Sequence, residues 1–435
     1  MMKTHYDLIV IGAGPAGLMA AKTAAEKGLD VLLIEIKKNI SIVKRTCCAS
    51  FYLESDYMSE TNQFEEGKLI FPKNGFTVNY SGSYWPITEK YGFSPEGHKW
   101  HMVRFESEDY SKDSPLSLVL DKGALLEGLL GEAKKLGVTF MNGTKATKIE
   151  NTEQGARVEI YTEGRYLQKE GKKAIIADGV NSHMVECLGL NKNRKVKGSR
   201  CMFLEYVLED TDVPYPNAVL NFFGKKICKF GNILLWPNHE GLSRILAFNT
   251  IEFSKETKYP ASTIDYFMNQ SPFASWFKRA KVIEKTAGSL IPLEAIAEPC
   301  LGNILAISDA AAFIEVENQG AMMCGFQAGN AVFDELKGSD GFKNYVDWWK
   351  RSFEFNNPEL LKGMAAIPAF SLGGFSDNDV DYLFSLIDGE DLFGTCSQYK
   401  SAAAIWIAID KHSERIKKEN PAVAAKVDAV MDLIS

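Results

Sequence analysis

The stretch from Tyr6 to Glu35 constrains this chain more than any other. Asp7-Leu8-Ile9-Val10-Ile11 has the length and branching of a parallel strand buried on both faces. It runs into Gly12-Ala13-Gly14-Pro15-Ala16-Gly17 and then into Leu18–Ala25, which reads as helix. A second β-rich run, Val31–Ile34, ends on Glu35. The three glycines have separate duties. Gly12 permits the tight turn, Gly14 lets the backbone approach a pyrophosphate, and Gly17 lets the helix pack close to the strand. From Pro15 and Ala16 onward the helix N-terminus presents free N–H groups and the positive end of its dipole to phosphates. Glu35 stands eighteen residues after Gly17, close to where an acid accepts a hydrogen bond from a ribose hydroxyl. Strand, turn, helix, strand and acid in this order predict a dinucleotide-binding unit. An acid at Glu35 disfavours a 2′-phosphate, which leaves FAD or NAD.

With 435 residues the chain is long for one core, so two or three structural units are expected. Its 46% hydrophobic and 24% charged residues are those of a globular protein, and a net charge of −7 gives no footprint for nucleic acid. No apolar run approaches the roughly 20 residues that span a bilayer. The nearest is Ala402–Ile409. The dinucleotide unit accounts for the apolar N-terminal run, so no targeting segment is expected. Eight cysteines without even spacing and without C-x-x-C predict neither a disulfide framework nor an iron–sulfur or structural zinc site. A metal is not expected, and the expected compartment is the cytoplasm.

Further along, Lys44-Arg45 precede the adjacent pair Cys47-Cys48. Nearby cations favour thiolate, although small buried residues near a helix start would look the same. Lys68–Phe71 and Gly75–Tyr80 read as strands across a Pro-Lys-Asn-Gly turn, in a stretch rich in aromatics (Tyr84, Trp85, Tyr91, Phe93, Trp100, Phe105). The chain returns at Ser117–Leu120, followed by a predicted helix over Gly123–Lys135 with leucines at helical spacing. Lys173–Ile176 is another buried strand, ending in Ala177-Asp178-Gly179. Cys201–Leu208, Ala218–Phe223, Asn232–Trp236 and Arg244–Asn249 read as one antiparallel sheet, with helical segments around 261–269 and 272–280. Ile304–Ile307 leads into Ser308-Asp309, small residues and a helix from about Ala321 to Lys337, and the tail from Gly341 is mostly helical. The phosphate-binding unit is thus discontinuous, interrupted twice by a sheet-rich unit.

Three motifs stand at long range: Gly12–Gly17 with Glu35, Ala177-Asp178-Gly179, and Ser308-Asp309-Ala310-Ala311. Their order resembles the flavoproteins of the para-hydroxybenzoate hydroxylase fold, and among them the geranylgeranyl reductase family, over nearly the whole length. The resemblance implies an α/β fold. Its Rossmann-like FAD-binding domain would comprise residues 1–60, 112–190 and 286–345. An inserted antiparallel-sheet substrate domain would comprise 61–111 and 191–285, and a helical C-terminal region 346–435.

The same resemblance assigns the pyrophosphate and ribose of FAD to Gly12, Gly14, Pro15, Ala16, Gly17 and Glu35. Asp178 and Gly179 would brace the loop near the cofactor, and Asp309 would meet the ribityl chain. Gln319, Gly320 and Ala321 would open the helix that faces the flavin pyrimidine edge. Lys122 stands where the family carries arginine after an aspartate, keeping the charge without the fork. Arg45 is the basic residue before the family's cysteine, represented here by Cys47 or Cys48. Ser308 replaces a glycine. The acids Glu315 and Glu317 stand where the family usually runs through proline into glycines, as solvent-facing loop acids or as a proton donor. The substrate-side aromatic motif has a partial echo in Trp236-Pro237.

The expected function is an FAD-dependent oxidoreductase that reduces carbon–carbon double bonds of an apolar, isoprenoid or lipid-like substrate by hydride transfer from reduced flavin. Its reductant would be NAD(P)H or a small electron-transfer protein, and a lipid-like substrate is compatible with peripheral membrane contact. A flavin monooxygenase or halogenase is the alternative on the same fold, although Ala312 stands where hydroxylases carry histidine. An electron-transfer flavoprotein relaying to a quinone is the second; its C-terminal cysteine cluster is represented only by Cys396.

Overall fold

The computed structural model describes residues 3–54, 56–103, 115–197, 200–228, 232–251, 260–364, 370, 374–393, 395 and 397–434; Phe105 and Cys396 lie outside them. Its first sheet is mostly parallel. β1 (His5–Ile11) has β2 (Val31–Ile34) on one side and β3 (Arg165–Ile176) on the other. Thr139–Met141 pairs in parallel beyond β2, and Ile304–Ala306 beside β3. The expected hairpin, Lys145–Thr152 with Gly155–Thr162, continues antiparallel from β3. Burial on both faces explains the unbroken apolar runs: Leu8, Ile9, Val10, Leu32, Leu33, Ile175 and Ile176 have no exposed surface.

Register decides where the motifs go. Ile11 pairs with both Ile34 and Ile176, and Ile176 pairs with Ala306. The chain therefore leaves four neighbouring strands at one level, at Gly12, Glu35, Ala177 and Ile307. Cross-strand bonds fix that level: the Gly12 N–H donates to the Ile34 carbonyl (2.8 Å), Ala177 to Ile11 (2.8 Å) and Ile307 to Ile176 (2.9 Å). The crevice outside such carboxyl ends is where open α/β sheets take their ligands.

α1 (Pro15–Glu26) is joined to α2 (Lys122–Lys135) by the Lys22–Glu132 ion pair at 3.5 Å and packs on α3 (Glu317–Leu336). Small residues set the α1–α3 contact. A Cβ on Gly325 would lie 2.3 Å from the Ala16 carbonyl oxygen, and one on Gly329 2.7 Å from Thr23 Cβ. Higher numbers meet higher numbers, so the helices run parallel. At 1.5 Å per residue, α3 begins about 10 Å beyond the start of α1.

The second large sheet is centred on β4 (Arg200–Glu209), β5 (Asn232–Pro237) and β6 (Ser243–Ile251). Its eight strands run in the order Lys281–Leu290, β4, β6, β5, Ala218–Phe222, Glu89–Phe93, Lys99–Val103 and Asp391–Phe393. The sequence predicts only four of them. Lys281–Leu290 escapes because it is an edge strand whose first five residues are all exposed, so it shows no inward–outward alternation. The predicted strands around residues 68–80 pair as expected, but stack Phe76 on Phe326 of α3 (4.5 Å), and so pack against the first core. A three-stranded sheet of Ser50–Tyr52, Ser117–Leu120 and Tyr84–Ile87 holds the segment after Cys47-Cys48. Among the described residues no helix is long and apolar enough to cross a membrane, and no group of three or more His, Cys, Asp or Glu side chains is placed to hold a metal ion.

Candidate functional site

The three glycines of the first turn are demanded by different things. Gly12 has φ +101°, and a Cβ there would meet the Ala177 carbonyl oxygen at 2.3 Å. A Cβ on Gly17 would lie 1.8 Å from the Gly12 carbonyl oxygen. Gly14 differs: its Cβ would have nothing within 4 Å. No protein neighbour requires a glycine at 14, so the backbone there lies open to a group approaching from outside. Gly14 is also the N-cap of α1, with Pro15 and Ala16 in the first turn and no side chain capping the helix, which leaves its N–H groups for an anion.

Glu35 is buried behind this turn. Its Oε2 accepts from the Ala13 N–H (2.7 Å) and its Oε1 from the Lys37 N–H (2.8 Å). The carboxylate therefore braces the turn, and each oxygen keeps a lone pair for a further donor such as a ribose hydroxyl.

The other two motifs stand on the adjoining strand ends. Asp178 accepts from the Met184 N–H through Oδ2 (3.3 Å), and its other oxygen is buried with no partner. Burial pushes its pKa up. Gly179, at φ +81°, leaves 3.4 Å between its missing Cβ and the Arg45 Nη1. Asp309 accepts from the Val316 N–H (3.0 Å) and faces Arg45 Nη2 at 3.5 Å. Ser308 takes φ +59°, the left-handed backbone for which glycine is the natural residue. The buried, unpartnered oxygen of Asp178, the open cradle at Gly14 and the uncapped α1 fit a dinucleotide, and Arg45 adds a cation at the same mouth.

At the start of α3 lie the two acids. Glu317 accepts from the Tyr57 hydroxyl (2.8 Å) on one oxygen and from the Gln319 amide (3.0 Å) on the other. Burial, with Glu315 nearby, holds its carboxyl well above the ordinary range. Glu315 rises to about 7, through burial and then through Asp309 and Cys47, against the pull of Arg45 and Lys122. Gln319 keeps a buried carbonyl oxygen with no partner. Gly320 lies where a Cβ would press on Met58 Sδ at 2.8 Å, and Ala321 is buried beside it.

The thiols come from the loop after β2. Lys122, at the first position of α2, donates to Cys47 Sγ at 3.1 Å. The Cys47 thiol falls well below its usual range because Cys48 donates a hydrogen bond to it and Lys122 and Arg45 lie close. Cys48 rises correspondingly. Both pack against an apolar cluster of Ala49, Ile87, Val119, Trp236 and Leu246. Pro237 ends the strand that carries Trp236 and is buried with it. The residues singled out in the sequence therefore converge, apart from a separate polar cavity of about 340 Å³ lined by Asn74, Gln327, Asn330 and Asn344, which none of them lines.

Sequence reasoning missed Tyr57, Glu205 and Arg244. Tyr57 carries no sequence signal. Glu205 and Arg244 do: each is a charge inside an otherwise apolar strand, Leu204-Glu205-Tyr206 and Arg244-Ile245-Leu246, and such charges are rarely buried unless paired.

Comparison with known proteins adds the family context. The family profile described as pyridine nucleotide-disulphide oxidoreductase matches residues 6–207. A digeranylgeranylglycerophospholipid reductase of Methanosarcina acetivorans is 27% identical over 347 residues, covering 78% of each chain. Among solved structures, a geranylgeranyl bacteriochlorophyll reductase-like protein from Thermoplasma acidophilum superposes with a TM-score of 0.73 at 18% identity, over 98% of this chain and 99% of that one. The flavin-dependent brominase Bmp2 follows the same fold, with a TM-score of 0.60 at 17% identity over 95% and 100% of the two chains. Motif order, fold and relatives agree with the resemblance carried by the three motifs: the chain is an FAD-dependent oxidoreductase, similar in sequence and fold to geranylgeranyl-type reductases.

Proposed function

We propose that this enzyme saturates carbon–carbon double bonds of an apolar, isoprenoid or lipid-like substrate. The reading is supported chiefly by Cys47, packed on the apolar cluster of Trp236 and within electrostatic reach of Glu315, at the mouth formed by the three FAD-type motifs. The names of its relatives point the same way. In this reading Gly12, Gly14, Pro15, Ala16 and Gly17 take the pyrophosphate, Glu35 the ribose, and Asp178, Gly179, Asp309, Arg45 and Lys122 the central part of the cofactor. Gln319, Gly320 and Ala321 present the start of α3 to the ring system. Bound FAD supplies the hydride.

The protein's own part is to exclude water, orient the alkene on Trp236 and Pro237, and deliver a proton. Glu315 suits that task better than Glu317. Both oxygens of Glu317 already accept hydrogen bonds, whereas Glu315 has no hydrogen-bond partner among the described residues and titrates near neutrality. The division into an FAD-binding unit, a substrate sheet and a helical tail belongs to the same proposal, as do NAD(P)H or a small electron-transfer protein as reductant and contact with a membrane surface.

The test is to reduce the purified flavoprotein without oxygen and then add polyprenyl alkenes or oxygen separately. Re-oxidation of the flavin by an alkene, with a saturated product, is expected. A reduced flavin indifferent to alkenes, but re-oxidised by oxygen with hydroxylation or halogenation of a substrate, would replace this reading by the monooxygenase or halogenase one.

A further inference from the structure

Arg244 lies on β6 with its side chain only 12% exposed. Its Nη2 donates to the Cys47 carbonyl oxygen, 197 residues earlier in the chain, at 2.8 Å. Its Nε donates to Glu205 Oε1 on the neighbouring β4 at 3.1 Å, and Nη2 makes a second, closer contact with the same oxygen. The guanidinium also sits over the Trp236 ring, 5.3 Å from its centre. Glu205 is 1% exposed, and its other carboxylate oxygen is buried without a partner.

A buried ion pair is an expensive way to fill space. Taking both charges out of water offsets much of their attraction, and apolar residues of equal volume often stabilise a protein as well or better. What apolar residues lack is a planar fork that holds a carboxylate, a carbonyl and an aromatic face at once. Those three groups are what meet here: the floor of the substrate-side sheet, the backbone of the thiol loop and the ring of Trp236.

We propose that Arg244, itself fixed by Glu205, is the positioning residue that holds the Cys47 thiol at Lys122 and against the Trp236 cluster. The inference deepens the proposed function and rests on Cys47 belonging to the reacting end of that site. The mechanism is geometric. With its carbonyl pinned by Arg244, Cys47 has little freedom beyond rotation of its own side chain, so Sγ stays at 3.1 Å from the Lys122 ammonium. Without the pin the loop can swing and the sulfur leaves its cation. Movement of Trp236 on substrate binding would reach the thiol through the same guanidinium.

The readout is the pH dependence of Cys47 alkylation, followed by mass spectrometry in full-length protein carrying Cys48→Ser so that one thiol is scored. The groups facing Cys47 are Lys122, Arg45 and Arg244 as cations and Glu315, Glu317 and Glu205 as acids, none of which is altered in the parent. Loss of Glu205 by itself would lower the Cys47 midpoint, so a rise in a variant lacking Glu205 runs against that pull. Arg244→Met alone strands Glu205 as an unpaired buried carboxylate, so the deciding variant is Glu205→Leu with Arg244→Met, which removes both charges and keeps the volume. In this double variant the alkylation midpoint should rise by about one pH unit or more, the size of losing an ammonium partner. Arg244→Lys, which keeps charge without the fork, should also show the rise. A midpoint within 0.2 units of the parent in the double variant (about the scatter of such titrations, small beside a one-unit shift) overturns the proposal. Neither turnover nor substrate enters this measurement, so its failure is separate from failure of the reductase reading.

Discussion

At the glycine turn the polar contacts are made by backbone, whereas at the thiol and acid cluster they are made by side chains from distant segments. Glu35 accepts the N–H groups of Ala13 and Lys37, and Asp309 accepts that of Val316, all within the crevice edge itself. Cys47, Glu317 and the Cys47 carbonyl instead depend on Lys122, Tyr57 and Arg244. Polar atoms are also left over there, including Gln319 Oε1, Trp236 Nε1 and Glu205 Oε2. Backbone donors on a locked register cannot rotate away, which suits an end that grips a phosphate. Side chains in a poorly solvated cluster shift one another's pKa values, which suits an end that moves a proton.

The sharpest way to break the comparison is at the glycines. Gly17→Val should lose FAD and also about 3 kcal/mol or more of stability, because its Cβ would meet backbone. Gly14→Val should lose FAD with a melting temperature close to the parent's, because its Cβ meets no protein atom. Thermal melts beside flavin titrations decide it. A Gly14→Val protein that binds FAD normally would show that nothing approaches the turn.

Glu35→Ala comes next. Two hydrogen bonds to a carboxylate are lost, each contributing roughly 1.5–3 kcal/mol, so stability should fall along with FAD affinity by one to two decades. Loss of affinity with unchanged stability would mean that the bracing of the turn is dispensable.

Glu315→Gln tests the acid end. The folded pKa of Glu315, about 7, lies above its ordinary 4.5, so the folded state holds the proton more tightly than the unfolded chain. Its charged form therefore costs stability as pH rises from the unfolded value through 7, and the penalty is complete above it. The glutamine variant should be more stable than the parent at pH 8 by on the order of 1–3 kcal/mol and indistinguishable near pH 4. It should also re-oxidise with alkene slowly, and the parent's rate should decline through about pH 7. Equal stability at both pH values would place Glu315 in a well-hydrated setting.

The smallest effect is expected from Cys48→Ala. It removes one hydrogen bond to Cys47, about 0.5–1.5 kcal/mol or at most one unit in the thiol's alkylation midpoint, upward. No shift would leave Lys122 and Arg45 as the groups that lower the Cys47 thiol.

The amino-acid sequence by itself determined the opening strand–turn–helix–strand unit, because each step rests on local sterics: branched residues in β1, φ +101° at Gly12, Pro15 in the first turn of α1. It also carried the three motifs by their residue types and order. What it did not carry is every contact that depends on register and packing. Lys122 reaches Cys47 across 75 residues, Arg244 reaches its carbonyl across 197, and Tyr57 reaches Glu317 across 260. No periodicity encodes such meetings, since they follow from strand pairing and from the close α1–α3 packing at Gly325 and Gly329. Titration is divided between the two. Lys44-Arg45 before Cys47-Cys48 already favour thiolate in the sequence, and the acids before the helix suit a proton donor. Which thiol is lowered, and which neighbours act on Cys47 and Glu315, follow only from packing.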